Sequence, residues 1–185
     1  MSDKNRPSIG YTVSLCGVMS GLALALMFIM GMVPSFEYIS PAIGGMLIWV
    51  VRKNLGVKYG LVSYLAVAFL GLLVVPNYEA TMMFLFLLGY YPIIREYLQK
   101  IKFKILQWLV KLAVFVIPSV GAYMVLIHLL GMTYLLEDAN EFGKYGSLVL
   151  LGMGAFAFVL YDIFLGLFIP FYDKIIKPKI QKRMK

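Results

Sequence analysis

Long runs without a single charged residue dominate this chain. Residues 7–36 contain no Asp, Glu, Lys or Arg, and neither do 38–51, 59–78, 80–94 and 112–136; the run 145–172 is interrupted only by Asp162. A bilayer core of about 30 Å takes about 20 apolar residues per helical crossing, and several of these runs reach that length. A soluble domain is roughly half apolar and gathers its apolar residues into periodic faces, whereas this one is 62% apolar in unbroken stretches. The runs predict an all-α, polytopic membrane protein, with residues 1–185 forming a single integral membrane domain.

Six spans are expected, at about 10–33, 39–52, 57–76, 79–97, 105–131 and 145–172, followed by a basic tail over 173–185. The apolar part of the first, Tyr11 to Val33, is longer than a signal-peptide core and carries no small-x-small cleavage site in the right place, so it is expected to be retained. The second and fourth are short, with uncharged cores of 14 and 15 residues that would also suit re-entrant segments. Charge placement decides between these counts. With six spans and a cytoplasmic N-terminus, 16 of the 17 basic residues fall on the inner side and only Lys144 lies outside. If the short segments were re-entrant, Arg52, Lys53 and Lys58 would move outside. Lys and Arg concentrate in short cytoplasmic loops, so six spans with both termini in the cytoplasm are predicted.

This topology accounts for the net charge of +8 without a nucleic-acid partner. The tail "DKIIKPKIQKRMK" serves either to set topology or to bind anionic membrane lipids. The segment 95–111, "REYLQKIKFKILQWLVK", suits an interfacial helix extension, or a docking surface for a cytoplasmic partner. On the outer side lie the connections 34–41, 76–80 and 131–146, which hold five of the nine acids: Glu37, Glu79, Glu137, Asp138 and Glu141. Each connection also carries a tyrosine. Acids outside and tyrosines at the interface follow from membrane topology alone. A small-molecule pocket with aromatic walls would use the same residues. Pro34, Pro41 and Pro76 stiffen the first two connections, which suits recognition.

Asp162 is the one carboxylate that interrupts a long uncharged run inside a span. An aspartate at mid-bilayer costs roughly 2.5–3.5 kcal/mol, so it should face protein or water, either as a coupling, proton or ligand group or as a packing hydrogen bond. It lies about 15 Å of helix rise from Asp173, and His128 about 25 Å above Lys111, so the two are expected at different depths and are not paired. Gly17, Gly21 and Ala25 recur every four residues and form a small-residue face to which another helix could dock closely. Cys16 is the only cysteine, which excludes an intrachain disulfide. With Cys16 and His128 as the only soft ligands, no metal site, haem or other cofactor is expected. Hydrolase, metalloprotease and Walker A motifs are missing from the sequence, so no catalytic residues are expected and the chain is not read as an enzyme.

The small-residue face on the first span is followed by a Pro-bounded outer loop leading into "SPAIGGMLIWVVRKNLGVKYG". With six spans in a chain of this length, the arrangement resembles the substrate-binding S component of energy-coupling factor (ECF) importers, the prokaryotic uptake systems for vitamins and micronutrients. The resemblance extends over the whole chain in architecture. It implies a prokaryotic cell membrane and a small-molecule ligand such as a vitamin. Glu37, Tyr38, Asn77, Tyr78 and Glu79 would then be pocket or lid residues, completed by 131–146. Gly17, Gly21 and Ala25 would contact a transmembrane coupling subunit driven by two ATPases. The alternative is a non-transporting accessory, assembly or regulatory subunit of another membrane complex, which uses the same small-residue face and needs no outer pocket.

Overall fold

The computed structural model describes residues 8–33, 36, 38–129, 131 and 145–176. The chain divides into two compact units, Met1–Thr133 and Tyr134–Lys185. The elements of the first are α1 (Ile9–Gly31), α2 (Ser40–Leu55), α3 (Val57–Val74), α4 (Tyr78–Met83), a π-helical turn (Phe84–Leu88), α5 (Tyr91–Leu98) and α6 (Lys104–His128). The second holds α7 (Gly146–Phe171), which runs on into a π-helical turn over Tyr172–Ile176. No strand occurs among the described residues.

Local chemistry sets the element ends. The Ser8 hydroxyl accepts from the Tyr11 amide at 3.2 Å and caps α1, where the first amides lack a partner within the helix. Pro41 opens α2, a position where its missing N–H costs nothing. Gly56 alone joins α2 to α3. Its φ of +100° is disfavoured for side-chain-bearing residues, so a glycine at this place allows a one-residue reversal.

The most buried helix of this unit is α2. Ten of its sixteen residues are buried, and it packs on both α1 and α3. Gly44 lets Phe84 and the Met27 sulfur approach to 3.2 and 3.3 Å of where a Cβ would stand. At the crossing of α2 and α3, a Cβ on Gly60 would lie 2.7 Å from the Arg52 Cβ. Gly60→Val is therefore expected to destabilise the protein by about 2–3 kcal/mol, as other overpacked contacts do. Detergent melting curves would check this; an unchanged midpoint would contradict the crossing. Around these contacts Ala23, Met27, Ile48, Val67, Ala68, Val75, Phe84 and Ile93 form the core.

The stretch expected as one helix over 79–97 is broken. The Asn77 side chain accepts from the Ala80 amide at 2.9 Å and starts α4, which after six residues widens into the π-helical turn. The Gly89 amide closes that turn on the Phe84 carbonyl at 2.9 Å. A π turn leaves carbonyls outside the regular i→i−4 ladder. Tyr64 of α3 donates to the Leu85 carbonyl there, and its ring sits 5.8 Å from Phe84 and 6.1 Å from Tyr90. Pro92 then lies within the first two positions of α5.

At the far end of α2, Trp49 and Arg52 both reach Glu96 of α5. The Arg52 guanidinium lies 2.7 Å from the carboxylate, and the Trp49 indole N–H donates to it at 3.1 Å. Arg52 is 7% exposed, and its guanidinium also covers the Tyr97 ring at 5.4 Å. A charge this deep requires a partner, and Glu96 supplies one.

Four helical segments are long and apolar enough to cross a membrane: Ile9–Gly31, Val57–Val74, Lys104–His128 and Leu148–Ile175. α2 would span only about 24 Å, short of a hydrocarbon layer. Phe69, Leu73, Ile117 and Phe156 point outward, Leu73 with 70% of its surface uncovered. Such an apolar exterior is unfavourable in water and natural in lipid. The fold is thus all-α among the described residues and of the helical membrane type.

Candidate functional site

The ends of α1 and α3 come together at one end of the first unit. A Cβ on Gly31, the last residue of α1, would stand 3.5 Å from the Asn77 Cβ and 3.8 Å from Val75. Asn77, with Tyr78 and Glu79 after it, therefore lies beside the end of α1, and Tyr38 stands just before α2. Glu37, the connection over 132–144 and the tail over 177–185 lie outside the described residues.

The four described residues differ in how free they are to meet a ligand. Tyr38 and Tyr78 are exposed and offer apolar faces with a hydroxyl at the tip. Asn77 is committed to the backbone. Its side chain caps α4 and its carbonyl accepts from the Thr81 hydroxyl at 3.0 Å, so its evident task is to hold the connection in shape. Glu79 sits in the first turn of α4, where a negative charge is favourable against the helix N-terminus. The arrangement presents two aromatic rings and a carboxylate, the latter at the Asn77-capped start of α4, a surface suited to a ligand with apolar and cationic or hydrogen-bond-donating parts.

The face of α1 that carries Gly17, Gly21 and Ala25 is open. Nothing lies within 4 Å of a Cβ built on either glycine, and Ala25 is exposed. Packing of α1 within its own unit uses the opposite side, where Thr12, Ala23 and Met27 are buried. Cys16 is half-buried. His128 ends α6 and is exposed, in keeping with a helix-end histidine.

In the second unit Asp162 is 5% exposed, which fits the expectation that an intramembrane carboxylate avoids lipid. One buried charge had no signal in charge counting. Lys111 was expected as an ordinary inner-side cation, yet it is 5% exposed, with its ammonium 5.0 Å from the Trp108 ring centroid. The i, i+3 spacing of Trp108 and Lys111 is the pattern that could have revealed this contact. Among the described residues no group of three His, Cys, Asp or Glu side chains is placed to hold a metal ion.

Comparisons with protein-family models, with curated proteins and with solved structures find no match.

Proposed function

We propose that this chain is the membrane-embedded substrate-binding subunit of an ATP-driven small-molecule importer of the ECF type. In this reading six segments cross a prokaryotic cell membrane, α2 and the broken 78–98 segment included, and both termini are cytoplasmic. The ligand, of vitamin or micronutrient class, binds at the outer end. The observation that carries the reading is the approach of Gly31 to Asn77, which gathers residues from two outer connections at one end. In this topology 16 of the 17 basic residues fall on the inner side, which supports the orientation.

The open Gly17/Gly21/Ala25 face is where a transmembrane coupling subunit would dock, with two ATPases below it. The same open face also favours a second reading, an accessory subunit of another membrane complex, for which no outer ligand is needed. A tagged pull-down from native membranes in mild detergent separates the two. Recovery of an ATPase pair and a coupling subunit is expected; an unrelated complex would move the assignment to the accessory role.

Ligand binding gives a second test. Tyr38→Ala, and Glu37→Ala beside it, are expected to lower the amount of small molecule that co-purifies by tenfold or more, roughly the loss of one buried aromatic or charged contact. Expression should stay unchanged. Wild-type occupancy in both variants, read by mass spectrometry of the extracted protein, would remove these residues from the site.

A further inference from the structure

Two packed segments of the first unit are broken side by side, and side-chain hydroxyls meet the backbone at both breaks. The first break is the π turn over Phe84–Leu88. In an α-helix the Gly89 amide would meet the Leu85 carbonyl; here it closes on Phe84, and the Tyr64 hydroxyl of α3 donates to Leu85. Gly89 suits this closure because a Cβ there would stand 2.7 Å from the Phe84 carbonyl oxygen. The second break is Pro118 inside α6, which has no amide to offer the Val114 carbonyl four residues earlier. The Tyr90 hydroxyl donates to that carbonyl at 3.5 Å, and the Ser119 hydroxyl donates to the next one, Phe115, at 2.7 Å. The two breaks are in contact. The Tyr64 and Tyr90 rings meet edge to face, and Phe86 of the π turn comes within 3.9 Å of where a Cβ on Gly121 would stand.

We propose that the two breaks form one hinge, latched by the Tyr64 and Tyr90 hydroxyls. About it, α4 and the half of α6 after Pro118 bend together against α5 and the half of α6 before it. Sharp helix bends sit at prolines and π turns, where the backbone ladder is already interrupted. In hydrocarbon no water can take over a freed carbonyl, so the hydroxyls carry that task. A hydroxyl releases its carbonyl by a side-chain rotation, whereas an intact ladder bends only by giving up backbone bonds. The Arg52–Glu96 pair ties α5 to α2, and α4 lies across the π turn from that tie. α4 begins with Tyr78 and Glu79, so the bend moves two residues of the proposed ligand surface. That last link rests on the function proposed above; the hinge itself does not, and its test uses no ligand.

The test is amide hydrogen exchange of the full chain in detergent, which reads local opening segment by segment. Tyr64→Phe should speed exchange about tenfold at the amides of Gly89 and Tyr90, the lower part of the range for leaving a buried carbonyl unmet. The amides of residues 119–122, which Tyr64 does not touch through its hydroxyl, should follow by about threefold or more, while α1 stays unchanged. Tyr90→Phe should speed residues 119–122 by about threefold, since a 3.5 Å bond is at the weak limit. Pro118→Ala returns an amide to the Val114 carbonyl, so adding Tyr90→Phe to it should change exchange by less than about twofold. A Tyr64→Phe effect confined to the π turn would show that the breaks open independently and would overturn the hinge. So would an equal rise along the whole chain, which marks a loss of global stability, or an undiminished Tyr90→Phe effect in the Pro118→Ala background.

Discussion

Arg52→Ala is expected to lower the unfolding free energy by about 3 kcal/mol, at the lower end of the cost of breaking a buried ion pair. The lower end applies because Glu96, the partner at 2.7 Å, keeps 32% of its side chain exposed and can recover some hydration. Removing the guanidinium also withdraws the cation from Tyr97 and leaves the Trp49 indole as the remaining donor seen on the carboxylate. Arg52→Lys should fall between wild type and alanine, since an ammonium restores the charge without the planar fork. Arg52→Ala combined with Glu96→Ala should lose less than the sum of the single changes, because no charge is then left unpaired. Denaturant or thermal unfolding in detergent gives all four values. A single-variant loss under 0.5 kcal/mol, the range of ordinary surface changes, would show that the α2–α5 contact does not hold the fold.

Gly17→Leu with Gly21→Leu is expected to do the opposite, leaving the fold intact while abolishing partner recovery. Both positions have open space where the new side chains would grow, and leucine favours a helix over glycine. Melting should therefore hold or rise slightly. Helices that pack through small residues bring their backbones close, and two leucines would force them apart. Recovery of the proposed coupling subunit and ATPases from native membranes should drop to background. Undiminished recovery would show that this face of α1 meets lipid, and partner docking would have to be sought elsewhere.

Particular residues show what could be learned before folding was known. The long uncharged runs foretold the helices because an unpaired charge in hydrocarbon is costly, and their ends fall close to the observed ones: 10–33 against Ile9–Gly31, 57–76 against Val57–Val74. Asp162, the exception within a run, was expected to face protein or water and is buried. Tyr38, Asn77, Tyr78 and Glu79 were expected on outer connections, and the approach of Gly31 to Asn77 brings the ends of α1 and α3 together. Asn77 itself, taken as a ligand group, is a helix cap, which its place just before a helix could have suggested.

Other outcomes needed the tertiary structure. Nothing in the uncharged run 80–94 marks Phe84–Leu88 as a π turn, because the Tyr64 hydroxyl that meets its Leu85 carbonyl comes from 21 residues away. Arg52 and Lys53 are adjacent and equally charged, yet one is buried against Glu96 and the other lies over Trp49, according to which side of α2 faces α5. Lys111 was counted with the surface cations and is buried beside Trp108. The sequence by itself determined which segments leave water, since the hydrophobic effect is non-directional and follows composition along the chain. Only the folded structure decided which polar groups meet, since hydrogen bonds, ion pairs and close glycine contacts depend on distance and angle between residues far apart in sequence.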